Sequence, residues 1–89
     1  MTVTDAATAR LAEMLDNAQA PEGVALRLML AKEEWPGFRP GHQQIGDTAY
    51  EHDGRIVLVI DENTSDAIDD HVLDAFGQEQ WLSLEPMPQ

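Results

Sequence analysis

The stretch Gly46–Asp61, GDTAYEHDGRIVLVID, decides the fold. At its centre stand Asp53 and Gly54. A two-residue type I′ turn needs positive φ at both central positions, which glycine adopts freely and aspartate tolerates. The pair therefore predicts a hairpin whose register follows from the turn. His52 faces Arg55, Tyr50 faces Val57 and Thr48 faces Val59 on one side of the ribbon, with Ala49–Leu58 and Glu51–Ile56 on the other. The second arm, Ile56 to Ile60, is apolar at every position. A strand without polar alternation is predicted to lie inside a sheet with both faces covered.

Upstream, Ala7, Leu11, Leu15 and Ala18 recur at helical spacing with Met14 beside them. They predict a helix over Thr4–Ala20 whose apolar stripe faces the core, while Thr8, Glu13, Asp16 and Asn17 face solvent. Thr4 is placed to cap it, Asp5 to complement its dipole, and Pro21-Glu22-Gly23 to end it. Val24–Ala31 alternates as a strand, with Val24, Leu26, Leu28 and Leu30 toward the core and Ala25, Arg27, Met29 and Ala31 away from it. Arg27 on the outer face predicts either partial cover there or pairing with an acidic neighbour. Lys32–Gly46, KEEWPGFRPGHQQIG, then reads as a long connection, because Pro36-Gly37 and Pro40-Gly41 disfavour continuous helix or strand. Connections of this length are often functional. Its Trp35 and Phe38 either tuck under the loop and fix it to the core, or form an exposed recognition patch with Arg39 and His42.

Downstream, Asp61-Glu62-Asn63-Thr64-Ser65-Asp66 begins like a calcium loop. It has Asp66 where the sharp-turn glycine belongs and Val72 where the bidentate glutamate belongs, so it fails as one. Thr64 or Ser65 instead caps a short helix that carries Ala67 and Ile68 inward, and pattern alone lets this helix run to Phe76. Gln80–Leu84 alternates as a final strand with Trp81 or Leu82 inward.

The 89 residues are expected to form one domain, 1–89, with a single modest core and a flexible tail at 85–89. The absence of cysteine removes disulfides, thiolate metal sites and thiol nucleophiles. Seventeen acidic residues against five basic ones give a net charge of −12. Such a surface repels phosphate backbones and anionic membranes, so neither nucleic acid nor membrane is an expected partner. A strongly solvated surface, as suits a salt-rich cytoplasm, accounts for the charge; docking of a basic partner protein is the sharper reading. No leader and no bilayer-length apolar run is evident, and the expected location is the cytoplasm.

Nothing in the sequence argues for an enzyme. Glu33-Glu34 reads as a solvated pair, since catalytic carboxylates need environments that separate their pKa values. Thr64, Ser65 and Ser83 have no neighbouring base, and no glycine-rich phosphate loop lies between a strand and a helix. His42, His52 and His71 fall on a loop, a hairpin end and a helix end, without metal-ligand spacing.

The order of segments resembles the A-type iron–sulfur carriers, the HesB/IscA-like domain. Val3-Thr4-Asp5-Ala6-Ala7 with its helix is similar to the family's start, and Val24-Ala25-Leu26-Arg27-Leu28 to its first strand. The hairpin from Gly46 through Ile60 to Asp61 resembles it most closely. The resemblance implies a mainly β (α+β) fold, a small HesB-like β-sandwich with two short helices. It also implies a short strand over Val72–Phe76, which shortens the second helix to about Thr64–Asp70. The family's first cluster cysteine lies in a Gly-Cys-Ser-Gly-Phe-type segment. Here Glu34-Trp35-Pro36-Gly37-Phe38 stands there, with Trp35 at the cysteine position. The paired cysteines of the family's tail would follow the last strand, where this chain has Glu85 to Gln89. The expectation is therefore a non-catalytic protein without cofactor, acting through a protein partner or as a homo-oligomer, with Trp35, Phe38, Arg39 and His42 as its interaction loop. The alternative is mononuclear iron held by His42, His52 or nearby carboxylates.

Overall fold

The hairpin forms as its turn dictates: Asp53 has φ +52° and Gly54 φ +80°, joining β4 (Thr48–His52) to β5 (Arg55–Ile60). The computed structural model describes residues 1–30, 37–77 and 81–86. The other described elements are β1 (Thr2–Val3), α1 (Asp5–Asn17), β2 (Val24–Met29), β3 (Gly37–His42), α2 (Glu62–Ala67), β6 (His71–Phe76) and β7 (Trp81–Pro86). They make an α+β fold of two sheets and two helices, as expected. One sheet has the order β3-β2-β5-β4, with β2 and β5 parallel and the outer pairs antiparallel. The other has the order β1-β6-β7, β1 parallel to β6 and β6 antiparallel to β7.

Strand β5 is interior, and Val57, Leu58, Val59 and Ile60 are all fully buried. Its register departs from the expected one beyond the turn. His52–Arg55 and Glu51–Ile56 pair as predicted, but Tyr50 then faces Leu58, Ala49 faces Val59 and Thr48 faces Ile60. Val57 is the extra residue of a β-bulge. The bulge breaks the alternation, and Val57, Leu58 and Ile60 all enter the same core cluster. That cluster joins Ala7, Leu11 and Leu15 of α1 with Leu26 and Leu28 of β2, Ile68 after α2, Leu73 of β6 and Leu84 of β7.

Helix α1 starts at Asp5 under the Thr4 cap, whose Oγ1 accepts from Ala7 N at 3.1 Å. Thr8, expected in solvent, is buried, because α1 packs on β4 as well as on β5 and β6. Its hydroxyl donates to Asp5 O at 3.0 Å and lies 3.3 Å from His52 Nδ1. Ala18, expected in the stripe, is exposed beyond the helix end.

Three further expectations are corrected. Gly37–His42 is a strand despite Pro40, because β3 lies at a sheet edge, where a residue without an N–H is tolerated. Helix α2 is capped by Asp61, whose carboxylate accepts from Thr64 N at 2.7 Å, rather than by Thr64 or Ser65; it ends at Ala67, which is exposed. Strand β7 reaches Pro86, with Glu85 and Pro86 paired to Val72 and His71; the rest of the expected tail, 87–89, lies outside the described residues. Within β7, Leu82 and Leu84 turn inward and Trp81 outward.

Helix α1 ends ahead of the Pro21-Glu22-Gly23 break. Gln19 N donates to Asp16 O and Ala20 N to Leu15 O, both at 3.0 Å, with Gln19 left-handed at φ +54°. This closure is usually made by glycine, since a side chain is strained there. Gln19→Gly is expected to raise the unfolding free energy by about 1 kcal/mol in urea denaturation. An unchanged or lowered midpoint would show that Gln19 carries no strain.

Candidate functional site

Phe38, Arg39 and His42 of the predicted interaction loop lie on β3. Phe38 pairs with Leu28 and is half-buried against the core, so it anchors the strand. Arg39 is exposed and sits opposite Arg27. His42, opposite Val24, is also exposed, with Nδ1 3.2 Å from Gly23 O. Trp35, Glu33 and Glu34 lie outside the described residues.

Next to this strand, Arg27 finds the acidic neighbour that its outward position called for. Its guanidinium forms a fork on Asp47, with Nη2 donating to Oδ2 at 2.5 Å and Nη1 to Oδ1 at 3.2 Å. Nη2 also donates to His42 O at 3.2 Å, and Gln44 N donates to Asp47 Oδ2 at 2.7 Å. The fork thus ties β2 to the end of β3 and to the turn leading into β4. The Asp47 side chain is only 3% exposed and that of Arg27 18%. The Arg27 hydrogen bond, then the Gln44 amide, holds the Asp47 carboxyl below the usual range; the same bond raises Arg27 further. Both groups stay charged at neutral pH and are committed to structure rather than proton transfer.

Strands β2 and β5 pair only at Leu26–Leu58 and Arg27–Val59. Ahead of those pairs, Val24–Ala25 and Gly54–Ile56 wall an open cleft of about 740 Å³, rimmed by Glu22, His42, Gln43 and Arg55. Its size suits a small ligand. Two of its polar groups are already engaged: Arg55 Nη1 donates to Asp16 Oδ1 at 2.7 Å, and His42 meets the Gly23 carbonyl.

The histidines stay apart in role. His52 contacts Thr8 and lies 3.4 Å from an Asp53 oxygen. His71, expected at a helix end, begins β6, with Nδ1 2.8 Å from Asp70 Oδ1. Among the described residues, no group of three or more His, Asp or Glu side chains is placed to hold a metal ion. Partial burial pushes the Tyr50 hydroxyl above its ordinary pKa, so it remains a phenol at neutral pH.

No protein-family model and no curated protein sequence matches the chain. Among solved structures it is similar to Escherichia coli SufA, described as involved in the biosynthesis of iron–sulfur clusters. The TM-score is 0.65 and the identity 24%, over 96% of this chain and 83% of SufA. The chain shares the fold of SufA. The resemblance to the A-type carriers is thereby borne out as a shared fold, on a chain that holds no cysteine.

The part of this site that the sequence missed is the partner of Arg27. The outward arginine was legible, but seventeen acidic residues gave no means of choosing Asp47. Because Asp47 has a depressed folded pKa, its contribution is present above the unfolded value of about 3.9 and is lost as pH falls through the folded value. Asp47→Asn is expected to lower stability by about 2 kcal/mol at neutral pH. The gap from the parent should narrow in acid, in urea titrations run at successive pH values. A gap that stays constant down to low pH would remove the ion pair as its cause.

Proposed function

We propose that this chain is a non-catalytic accessory module in iron–sulfur assembly that works through protein contacts, self-association included, and carries no cluster on thiolates of its own. One observation carries the reading: a SufA-like fold on a sequence without cysteine. Clusters are held by cysteine thiolates, with histidine replacing some of them in particular centres. Here His42, His52 and His71 each meet a different neighbour. Fold alone does not specify activity, so the reading rests on which chemistry the residues present can support.

The contact surface proposed is the Trp35–His42 segment. Phe38 secures it, while Arg39 and His42 face outward from the edge of the larger sheet. Arginine and large aromatics are the side chains that most often dominate interfaces. No helix among the described residues is long and apolar enough to cross a membrane; the place of action proposed is the cytoplasm.

Protein purified without oxygen is expected to be colourless and free of iron and sulfide by elemental analysis. Light scattering and partner capture should then weaken in Trp35→Ala and Arg39→Ala, with unchanged melting curves. Stoichiometric iron with cluster absorbance, or contacts indifferent to both substitutions, would overturn the reading.

A further inference from the structure

We propose that the outer face of the β6–β7 ribbon is a docking site for an extended, arginine-bearing segment of a partner protein. This rests on the protein-contact reading above and adds a second surface to it, with the chemistry of what binds there.

Alternation along the ribbon sends Leu73 and Leu84 into the core, with Leu82 packed against it. Val72, Asp74 and Phe76 therefore share the other face with their partners Glu85, Ser83 and Trp81. Phe76 and Trp81 stand directly opposite one another, 58% and 64% exposed. Two adjacent aromatics left this far in water are a feature of contact surfaces. Beside them is a hollow of about 220 Å³, lined by Val72, Asp74, Phe76, Ser83, Glu85 and Pro86.

Its described lining combines the Phe76 ring with two carboxylates and no basic group, and Trp81 stands opposite Phe76. Asp74 receives its hydrogen bonds on Oδ1, from Thr4 Oγ1 at 2.7 Å and Ala75 N at 2.8 Å. Glu85 is exposed. Neither β6 nor β7 contains lysine or arginine. A guanidinium satisfies both halves of this environment. Its plane stacks on indole or phenyl, and its N–H groups fork onto carboxylate. The rest of the segment has a place as well. Among the described residues β7 pairs only with β6, which leaves its outer edge open to an added strand whose alternate side chains fall over this face.

Charge decides against a second copy as the occupant. Each copy carries −12 and would present the same acidic face. Three of its four arginines are already paired, Arg10 with Glu13, Arg27 with Asp47 and Arg55 with Asp16. A basic partner is the complementary one.

The test is calorimetric titration of the full chain with a short extended peptide alternating Arg and Thr, against the same peptide with Glu for Arg. The Arg peptide is expected to bind, about tenfold more weakly at 500 mM than at 50 mM salt, and the Glu peptide not at all. Trp81→Ala is expected to weaken binding about tenfold and Glu85→Gln about fivefold, while Arg39→Ala leaves it unchanged. Both altered positions are exposed, and melting curves matching the parent establish that the variants are folded. Failure of the Arg peptide to bind, equal binding of the Glu peptide, or indifference to both face substitutions overturns the proposal. So does a homo-oligomer that Trp81→Ala dissociates, since the occupant is then a second copy. Should the Arg peptide fail while Arg39→Ala still abolishes partner capture, the docking proposal falls and the broader protein-contact reading stands.

Discussion

The structure depends on keeping β5 dry on both faces. Val57, Leu58, Val59 and Ile60 have no exposed surface, and each such side chain is worth roughly 1.5–3 kcal/mol on removal from water. Satisfying their backbone requires a strand on either side, β2 and β4. Covering the side chains of Leu58 and Ile60 requires α1 and the second sheet, which contribute Leu11, Leu15, Leu73 and Leu84 to the same cluster. On the opposite face, Val59 has Arg27 and Ala49 as its ladder neighbours. From that ladder position the Arg27 guanidinium reaches Asp47. The fork on Asp47 is thus placed by the same strand whose burial organises the core.

How far the sequence could be read follows from whether each decision is local. The Asp53-Gly54 turn was legible because positive φ is a property of those two residues alone. The bulge at Val57 was not, since it answers a tertiary demand: the core takes Val57 and Leu58 together, which strict alternation forbids. Strand β3 was hidden for the opposite reason. Its local chemistry, Pro40 between Gly37 and Gly41, argues against a strand, and only its edge position overrides that. At α2 the sequence offered several oxygen side chains fit to cap a helix. The path of the chain as it leaves β5 settled on Asp61. Thr8 belongs with these cases, for its burial is fixed by where α1 meets β4.

The candidate site divides along the same line. That Arg27 should pair with an acid could be read from strand parity, and Phe38 could be read as an anchor; the identity of Asp47 and the cleft between β2 and β5 come from the assembled sheet. The likeness to SufA is one of fold, at 24% identity and on a chain without any cysteine. Fold alone does not fix which chemical groups a chain carries. This chain has a SufA-like fold and no cysteine.

The charge distribution gives the fold its outward character. Arg10 is paired within α1, Arg27 fastens β2 to the turn before β4, and Arg55 joins the start of β5 to α1 through Asp16. The two exposed pairs, Arg10–Glu13 and Arg55–Asp16, add little stability. Their larger effect is on the field, because most of the few cations are neutralised locally while most of the seventeen acids are not. What reaches a partner is a negative potential interrupted by a few exposed side chains, the basic Arg39 on one sheet and the aromatic Phe76 and Trp81 on the other. Charge of this kind acts over about a Debye length, whereas aromatic side chains act only in contact.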